Sequence, residues 1–302
     1  MQTSTLNTTI MEQHTNEWFK ARLGKITGSA VSKIFGSSRK KDEKFGDTAK
    51  TYLYQIAAER LMNSQYIDID EMFEYYLEQT NVSTKDMRWG NDQEPFARAL
   101  YEKHYAKPIG ITIKETGSIQ DDERPFFASS PDGLMYHKEK IVGCIEIKCP
   151  NQATYMRYKT EITDAASLKA VKPEYYWQVL SHIMVTRAHC CDFVAYCPWQ
   201  SDPLHVVRVL EDDVKDDIEA LKTRLDEAEA FLAEIGAGYE AETPAGEAAG
   251  TVADKEPAVT EDAQEPPFPD GLREWPAEEE RPKRNTRRSR KPSSYEQHIE
   301  DE

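Results

Sequence analysis

SSPDGLMYHKEKIVGCIEIKCP, residues 129–150, is the stretch on which the fold turns. Pro131, Asp132 and Gly133 read as a turn into a strand over 133–137, and IVGCIEIK reads as a second strand over 141–149. Side chains alternate across a strand, so Glu146 and Lys148 project to one side and Ile145 and Ile147 to the other. Two strands meeting near their ends would bring Asp132 within reach of Glu146. Two carboxylates and one ammonium would then converge.

That trio suits metal-assisted phosphodiester hydrolysis. Mg²⁺, with Mn²⁺ as its substitute, prefers hard oxygen ligands, which Asp132, Glu146 and the Ile147 carbonyl supply. Lys148 then orients the attacking water, or takes its proton if burial and the metal lower the lysine's pKa. An acid–X–Lys triplet on a strand is also the pattern of a plain surface ion pair. The Pro-Asp-Gly turn about a dozen residues upstream and the Cys-Pro exit from the strand lift this one above that reading.

Working outward, apolar spacing of three and four predicts helices near 18–35, 48–63, 93–106, 173–187 and 212–236, with Pro95 and Pro173 placed for first helical turns. Strand patterns fall near 109–120, 133–137, 141–149, 190–197 and 204–210. The expected fold class is α/β, with a central mixed sheet flanked by helices. From about residue 240 the chain turns rich in Ala, Glu, Pro and Gly with few large apolar groups, a composition that cannot offset its ordering entropy. The expected organisation is a flexible N-terminus over 1–16, one folded domain over 17–239, and a disordered tail over 240–302 with an adhesive spot at Phe268 or Trp275.

The net charge of −16 argues at first against a nucleic-acid partner. Its distribution changes that reading. Residues 241–280 hold twelve Asp or Glu against two Lys or Arg, while 281–291 hold seven Lys or Arg and no acid. Much of the acidity therefore lies in the tail, and its basic end reads either as a solvated charge run or as a contact for nucleic acid or a partner. No apolar run is long enough for a membrane span and no signal-peptide layout appears, so a cytoplasmic setting is the expectation. Five cysteines form an odd set without an export signal, which favours thiols over disulfides. Cys190, Cys191 and Cys197 sit in a strand-like CCDFVAYC, so an iron–sulfur cluster is not expected.

Several ordered segments share a single resemblance: EWFKARLGKITGSAVSKIFG (17–36), RWGNDQEPFARALYEKHYA (88–106), ASSPDGL (128–134), EIKCP (146–150), YYWQVLSHIMVTR (175–187) and LAEIG (232–236). Together they resemble the phage lambda exonuclease and YqaJ-type viral recombinase group of the PD-(D/E)XK nucleases. The resemblance implies that Asp132 and Glu146 hold the metal, that Lys148 is the catalytic lysine, and that Glu94 joins the site near a second ion. It places Gln178 beside the active site and Tyr175 along the DNA channel. It also implies a pocket for a terminal 5′-phosphate formed by Arg22, Thr27, Ser29 and Ser130, with Arg39 near the DNA. Ser29, read as the start of a helix, would add free N–H groups to that pocket. One departure stands out: where the resemblance implies an arginine five residues after Lys148, this chain has Ala153, so either Arg157 compensates or the phosphate is held by fewer charges and the preference for a 5′-phosphorylated end is looser.

The resemblance further implies a 5′→3′ exonuclease on linear double-stranded DNA, a homotrimeric ring around the duplex, and a single-strand annealing protein as partner. An endonuclease on the same fold and a non-catalytic DNA-end-binding scaffold are the rival readings. A third idea gives the acidic tail a role in covering the channel or recruiting the partner.

Overall fold

The computed structural model describes residues 12–36, 42–80 and 84–240. The expected tail, with Phe268 and Trp275, lies outside the described residues apart from residue 240. Nine α-helices and eight strands make up the described chain: α1 Asn16–Arg22, β1 Ile26–Thr27, α2 Asp47–Arg60, α3 Gln65–Asp68, α4 Asp70–Thr80, α5 Lys85–Tyr101, β2 Thr112–Lys114, β3 Ile119–Gln120, β4 Phe127–Ser129, β5 Gly133–His137, β6 Lys140–Lys148, α6 Gln152–Glu161, α7 Ala165–Val171, α8 Pro173–Thr186, β7 Cys190–Tyr196, β8 Leu204–Leu210 and α9 Lys215–Glu234.

Five strands form a mixed sheet in the order β2-β5-β6-β7-β8, in which only β6 and β7 run parallel. The fold class is the expected mixed sheet flanked by helices. β7 is buried along its whole length, as a central strand must be, and Cys144, Cys191 and Cys197 lie in the hydrophobic core. Helix α8 packs on β6 and β7, and all its residues from Tyr176 to Thr186 are buried. Pro173 opens α8 at its first turn, where no N–H is needed, and Arg187 in the left-handed region closes it. Among the described residues no helix is long and apolar enough to cross a membrane.

Local chemistry explains where the expected elements break. The helix expected over 18–35 is instead α1, β1 and a 3₁₀ turn, Val31–Phe35. Gly24 takes a φ of +69°, which ends α1, and Gly28 lies so close to its neighbours that a Cβ would meet Ser129 Oγ at 2.0 Å. Pro95 is not in a first turn. Thr84 Oγ1 caps the helix by accepting from Met87 N at 3.1 Å, so α5 begins upstream and carries Pro95 inside it. The strand expected over 109–120 divides between two sheets, because β2 joins the large sheet and β3 joins a second, three-stranded one, β1-β4-β3.

Candidate active site

Strands β5 and β6 and helices α5 and α8 build the site. Antiparallel pairing sets Gly133 of β5 opposite Ile145 of β6, so Asp132, one residue earlier, arrives beside Glu146. The glycine is required there, since a Cβ on Gly133 would meet Ile113 Cγ2 at 2.8 Å. Asp132 N donates to Ile145 O at 3.0 Å, and Asp132 Oδ2 accepts from Ile147 N at 2.6 Å. Glu146 is 1% exposed. Its Oε1 faces the Lys148 ammonium as an ion pair, while Oε2 lies 2.6 Å from His182 Nε2 on α8.

The electrostatics follow from that crowding. Burial drives the Asp132 carboxyl well above its ordinary value, and the charges of Glu146 and Glu94 push it further. Burial acts the same way on Glu146, but the Lys148 charge and the His182 hydrogen bond outweigh it and hold the carboxyl below its usual value. For Lys148 the desolvation penalty is overcome by Glu146 and Asp132, so the ammonium is held above its normal pKa. Glu94, on α5, is raised by burial, relieved in part by Arg98, and raised again by Glu146. Arg98 pairs with both Glu94 and Glu115. Cys149 borders the cluster, and burial together with Glu94 and Asp132 pushes its thiol up to about 12, which keeps it protonated and inert at neutral pH.

The donor chemistry fits a hard divalent ion: Asp132, Glu146 and Glu94 offer oxygens only, and they feel one another's charge in a buried site with a single lysine among them. Among the described residues no group of three or more His, Cys, Asp or Glu side chains is placed to hold a metal ion. Two carboxylates with open positions is the kind of site that Mg²⁺ takes, since it retains much of its water.

A second cluster adjoins the first. Parallel pairing of β1 with β4, in register Ile26↔Phe127 and Thr27↔Ala128, brings the segment after α1 against the Ser129–Ser130 pair. Arg22 Nη1 donates to Ser130 Oγ at 2.8 Å and Nη2 to Ser29 Oγ at 3.2 Å, while its guanidinium lies 4.2 Å from the Trp18 ring centre. Thr27 is tied to the same wall, its N–H donating to Tyr52 Oη at 3.1 Å. Ser29 does not start an α-helix. The 3₁₀ turn that follows is capped by Ala30 without a side-chain hydrogen bond, and the Ser29 hydroxyl is engaged by Arg22 instead.

The remaining expected residues fall as follows. Gln178 is buried on α8, one turn before His182. Tyr175 has the Lys148 Nζ 5.0 Å from its ring centre and stacks on Phe193 at 5.9 Å, so it flanks the lysine. Arg157 pairs with Glu161 on its own helix at 2.8 Å, and no hydrogen bond or ion pair joins it to the Arg22 cluster. Arg39 lies outside the described residues. The sequence reading passed over His182, Ser129 and Arg98. His182 carried a signal, since it stands four residues after Gln178 and therefore on the same helix face.

This arrangement coincides with a family match. The model of the YqaJ-like viral recombinase domain matches residues 17–189, more than half of the chain. The chain belongs to the YqaJ-like viral recombinase family. Among solved structures, this family member is similar to an alkaline exonuclease, LHK-Exo, from Laribacter hongkongensis, with 28% identity and a TM-score of 0.51 over 74% of this chain and 96% of that one. The complex of LHK-Exo with dAMP gives 28% identity and a TM-score of 0.52 over 73% and 96%. Among curated sequences it is 27% identical over 192 residues to the uncharacterized protein R354 of Acanthamoeba polyphaga mimivirus. That match covers 61% of this chain but only 29% of the length of the viral protein.

Proposed function

We propose that this chain is a Mg²⁺-dependent 5′→3′ exonuclease that degrades one strand of linear double-stranded DNA and leaves a 3′ overhang. The observation that carries the reading is the adjacency of a buried carboxylate–lysine cluster to the Arg22–Ser29–Ser130 cluster. The first suits hydrolysis of a phosphodiester and the second suits capture of a terminal phosphate. Likeness to an alkaline exonuclease, one crystallised with dAMP, supports the same reading.

In this proposal Asp132, Glu146 and the Ile147 carbonyl would hold one Mg²⁺, and Glu94, now paired with Arg98, would stand near a second. When bound, Mg²⁺ supplies the positive charge that activates water and neutralises charge developing on the phosphate. Lys148, paired with Glu146, would orient the attacking water, or take its proton where the charge of a bound metal lowers the lysine's pKa. Arg22 grips the 5′-phosphate by its two terminal nitrogens, with Ser29 and Ser130 keeping the guanidinium in place. Thr27 backs that pocket, and Gln178 and Tyr175 flank the scissile strand. With Ala153 in place of an arginine and Arg157 engaged by Glu161, the phosphate is held by fewer charges and the preference for a phosphorylated end is loosened.

The nuclease domain in this reading is 17–239. The chain acts as a homotrimeric ring in the host cytoplasm and hands its 3′ overhang to a single-strand annealing protein. Digestion of linear duplexes with 5′-phosphate or 5′-hydroxyl ends, with and without Mg²⁺, tests the core of it. Shortening of the 5′-ended strand, faster from the phosphorylated end and only with metal, is the expected result. Cutting of covalently closed circles would establish an endonuclease instead.

A further inference from the structure

The two adjacent serines of the SSPDG turn part company. Ser130 Oγ accepts from Arg22, whereas Ser129 points inward, is fully buried, and places its Oγ 2.8 Å from His182 Nδ1. The other ring nitrogen of His182, also fully buried, lies 2.6 Å from Glu146 Oε2. A continuous string therefore runs from Ser129 through the imidazole to the carboxylate. Gly28 admits it, since any Cβ at that position would strike Ser129 Oγ and crowd Ser181 Cβ at 3.0 Å.

We propose that His182 is a positioning residue that fixes Glu146 in the orientation needed to hold a divalent metal, and that Ser129 fixes the imidazole in turn. The inference rests on the metal-dependent reading above. A metal-binding carboxylate is ionised and only accepts hydrogen bonds, so Nε2 must carry the proton, and the Ser129 hydroxyl satisfies Nδ1. An imidazole supplies that N–H without an obligatory positive charge. A lysine or arginine in the same place would repel the incoming cation. The arrangement also answers a need that Lys148 cannot meet alone: once the lysine turns toward substrate, Glu146 Oε2 remains anchored from the helix side. Removing such a partner behind a metal-binding side chain costs metal affinity on the order of 10- to 100-fold.

The test titrates Mn²⁺ alone into the full chain by calorimetry, without DNA. His182→Leu is expected to weaken Mn²⁺ binding about 10- to 100-fold. His182→Gln, whose amide nitrogen reaches the Nε2 position, is expected to stay within about threefold of the wild-type protein. DNA cleavage by the leucine variant should recover as Mn²⁺ is raised, which a merely structural defect would not allow. A folded His182→Leu protein with wild-type Mn²⁺ affinity overturns the proposal. If that variant does not fold, Ser129→Ala decides on the same readout: weakened binding supports the role and wild-type affinity overturns it. A wild-type chain that binds no Mn²⁺ overturns the metal-dependent reading itself, an outcome distinct from either.

Discussion

Strands β6 and β7 carry two buried charge clusters on opposite faces of one sheet, and the two are built on different principles. Register pairs Ile145 with Asp192 and Glu146 with Phe193, so Asp192 points away from the face that bears Glu146. Asp192 is saturated: Oδ1 accepts from Arg208 Nε at 2.7 Å, and Oδ2 accepts from Arg208 Nη2 at 2.9 Å and from Tyr101 Oη at 2.6 Å. On the other face Asp132, Glu146 and Glu94 lie around Lys148, with Arg98 on Glu94 and His182 on Glu146, and the burial of Asp132 is aggravated by its neighbours' charge. One cluster closes a core. The other crowds like charges, which raise the Asp132 and Glu94 carboxyls, a condition common at functional sites.

If that contrast is right, removing an acid should have opposite consequences on the two faces. Asp132→Asn is expected to reduce DNA cleavage by on the order of 10³-fold or more, because the lost charge stabilisation is worth several kcal/mol, while leaving the thermal midpoint unchanged or higher. Single-turnover digestion and a melting curve on the same preparation check both halves. Asp192→Ala should do the reverse. It takes the buried Asp192 carboxylate away from the Arg208 guanidinium, 6% exposed, and a loss of about 3 kcal/mol in a urea titration is expected, with activity per folded molecule retained. A destabilised Asp132→Asn protein, or an undiminished Asp192→Ala stability, would erase the distinction.

A third experiment sharpens the comparison without touching stability in the absence of metal. A ligand that binds only the folded chain raises its stability by about 2.7 kcal/mol at a hundredfold excess over Kd. Mg²⁺ or Mn²⁺ should therefore raise the melting midpoint of the wild-type and Asp192→Ala proteins alike and leave that of Asp132→Asn unmoved. A metal-induced rise that survives in Asp132→Asn would relocate the binding site.

How far each face could be read from the sequence differs for the same physical reason. The Pro-Asp-Gly turn and the alternation in CIEIK are local signals, and they brought Asp132, Glu146 and Lys148 together on paper as the strands do in space. β5, entered from the Pro-Asp-Gly turn, and β8, rich in Val, fall over the residues expected for them, and α8 over nearly all of its own. The Arg22 cluster depends on β1 and β4, each only two or three residues long, whose parallel pairing no local pattern encodes; it became visible only through the family resemblance. α4 also escaped, because Phe73 is its one buried residue and a single anchor gives no periodicity to detect. His182 offered only its spacing from Gln178, and its surroundings masked that signal. Within the apolar run of α8, a histidine reads as core, and its link to Glu146 requires knowing that α8 packs across β6.

The finest difference between the clusters lies in how the metal-free protein responds to pH. Asp132 has a folded-state pKa raised by burial and by its acidic neighbours. Between the ordinary carboxylate value and that raised value the folded chain binds more protons at this residue than the unfolded chain does. Stability therefore falls as pH rises through that window, with a slope of at most about 1.4 kcal/mol per pH unit for one proton. Asp132→Asn removes this contribution, so the metal-free variant should lose less stability than the wild-type protein over the same interval. Saturating Mg²⁺ should flatten the wild-type curve as well, because a bound cation restores the preference for the ionised carboxylate. Asp192→Ala, which leaves the Asp132 side intact, should keep the wild-type slope at a lower overall stability. Urea titrations at a series of pH values, with and without Mg²⁺, measure all four curves. Parallel wild-type and Asp132→Asn curves without metal would mean that the carboxylates on the β6 face are less crowded in solution than their burial implies.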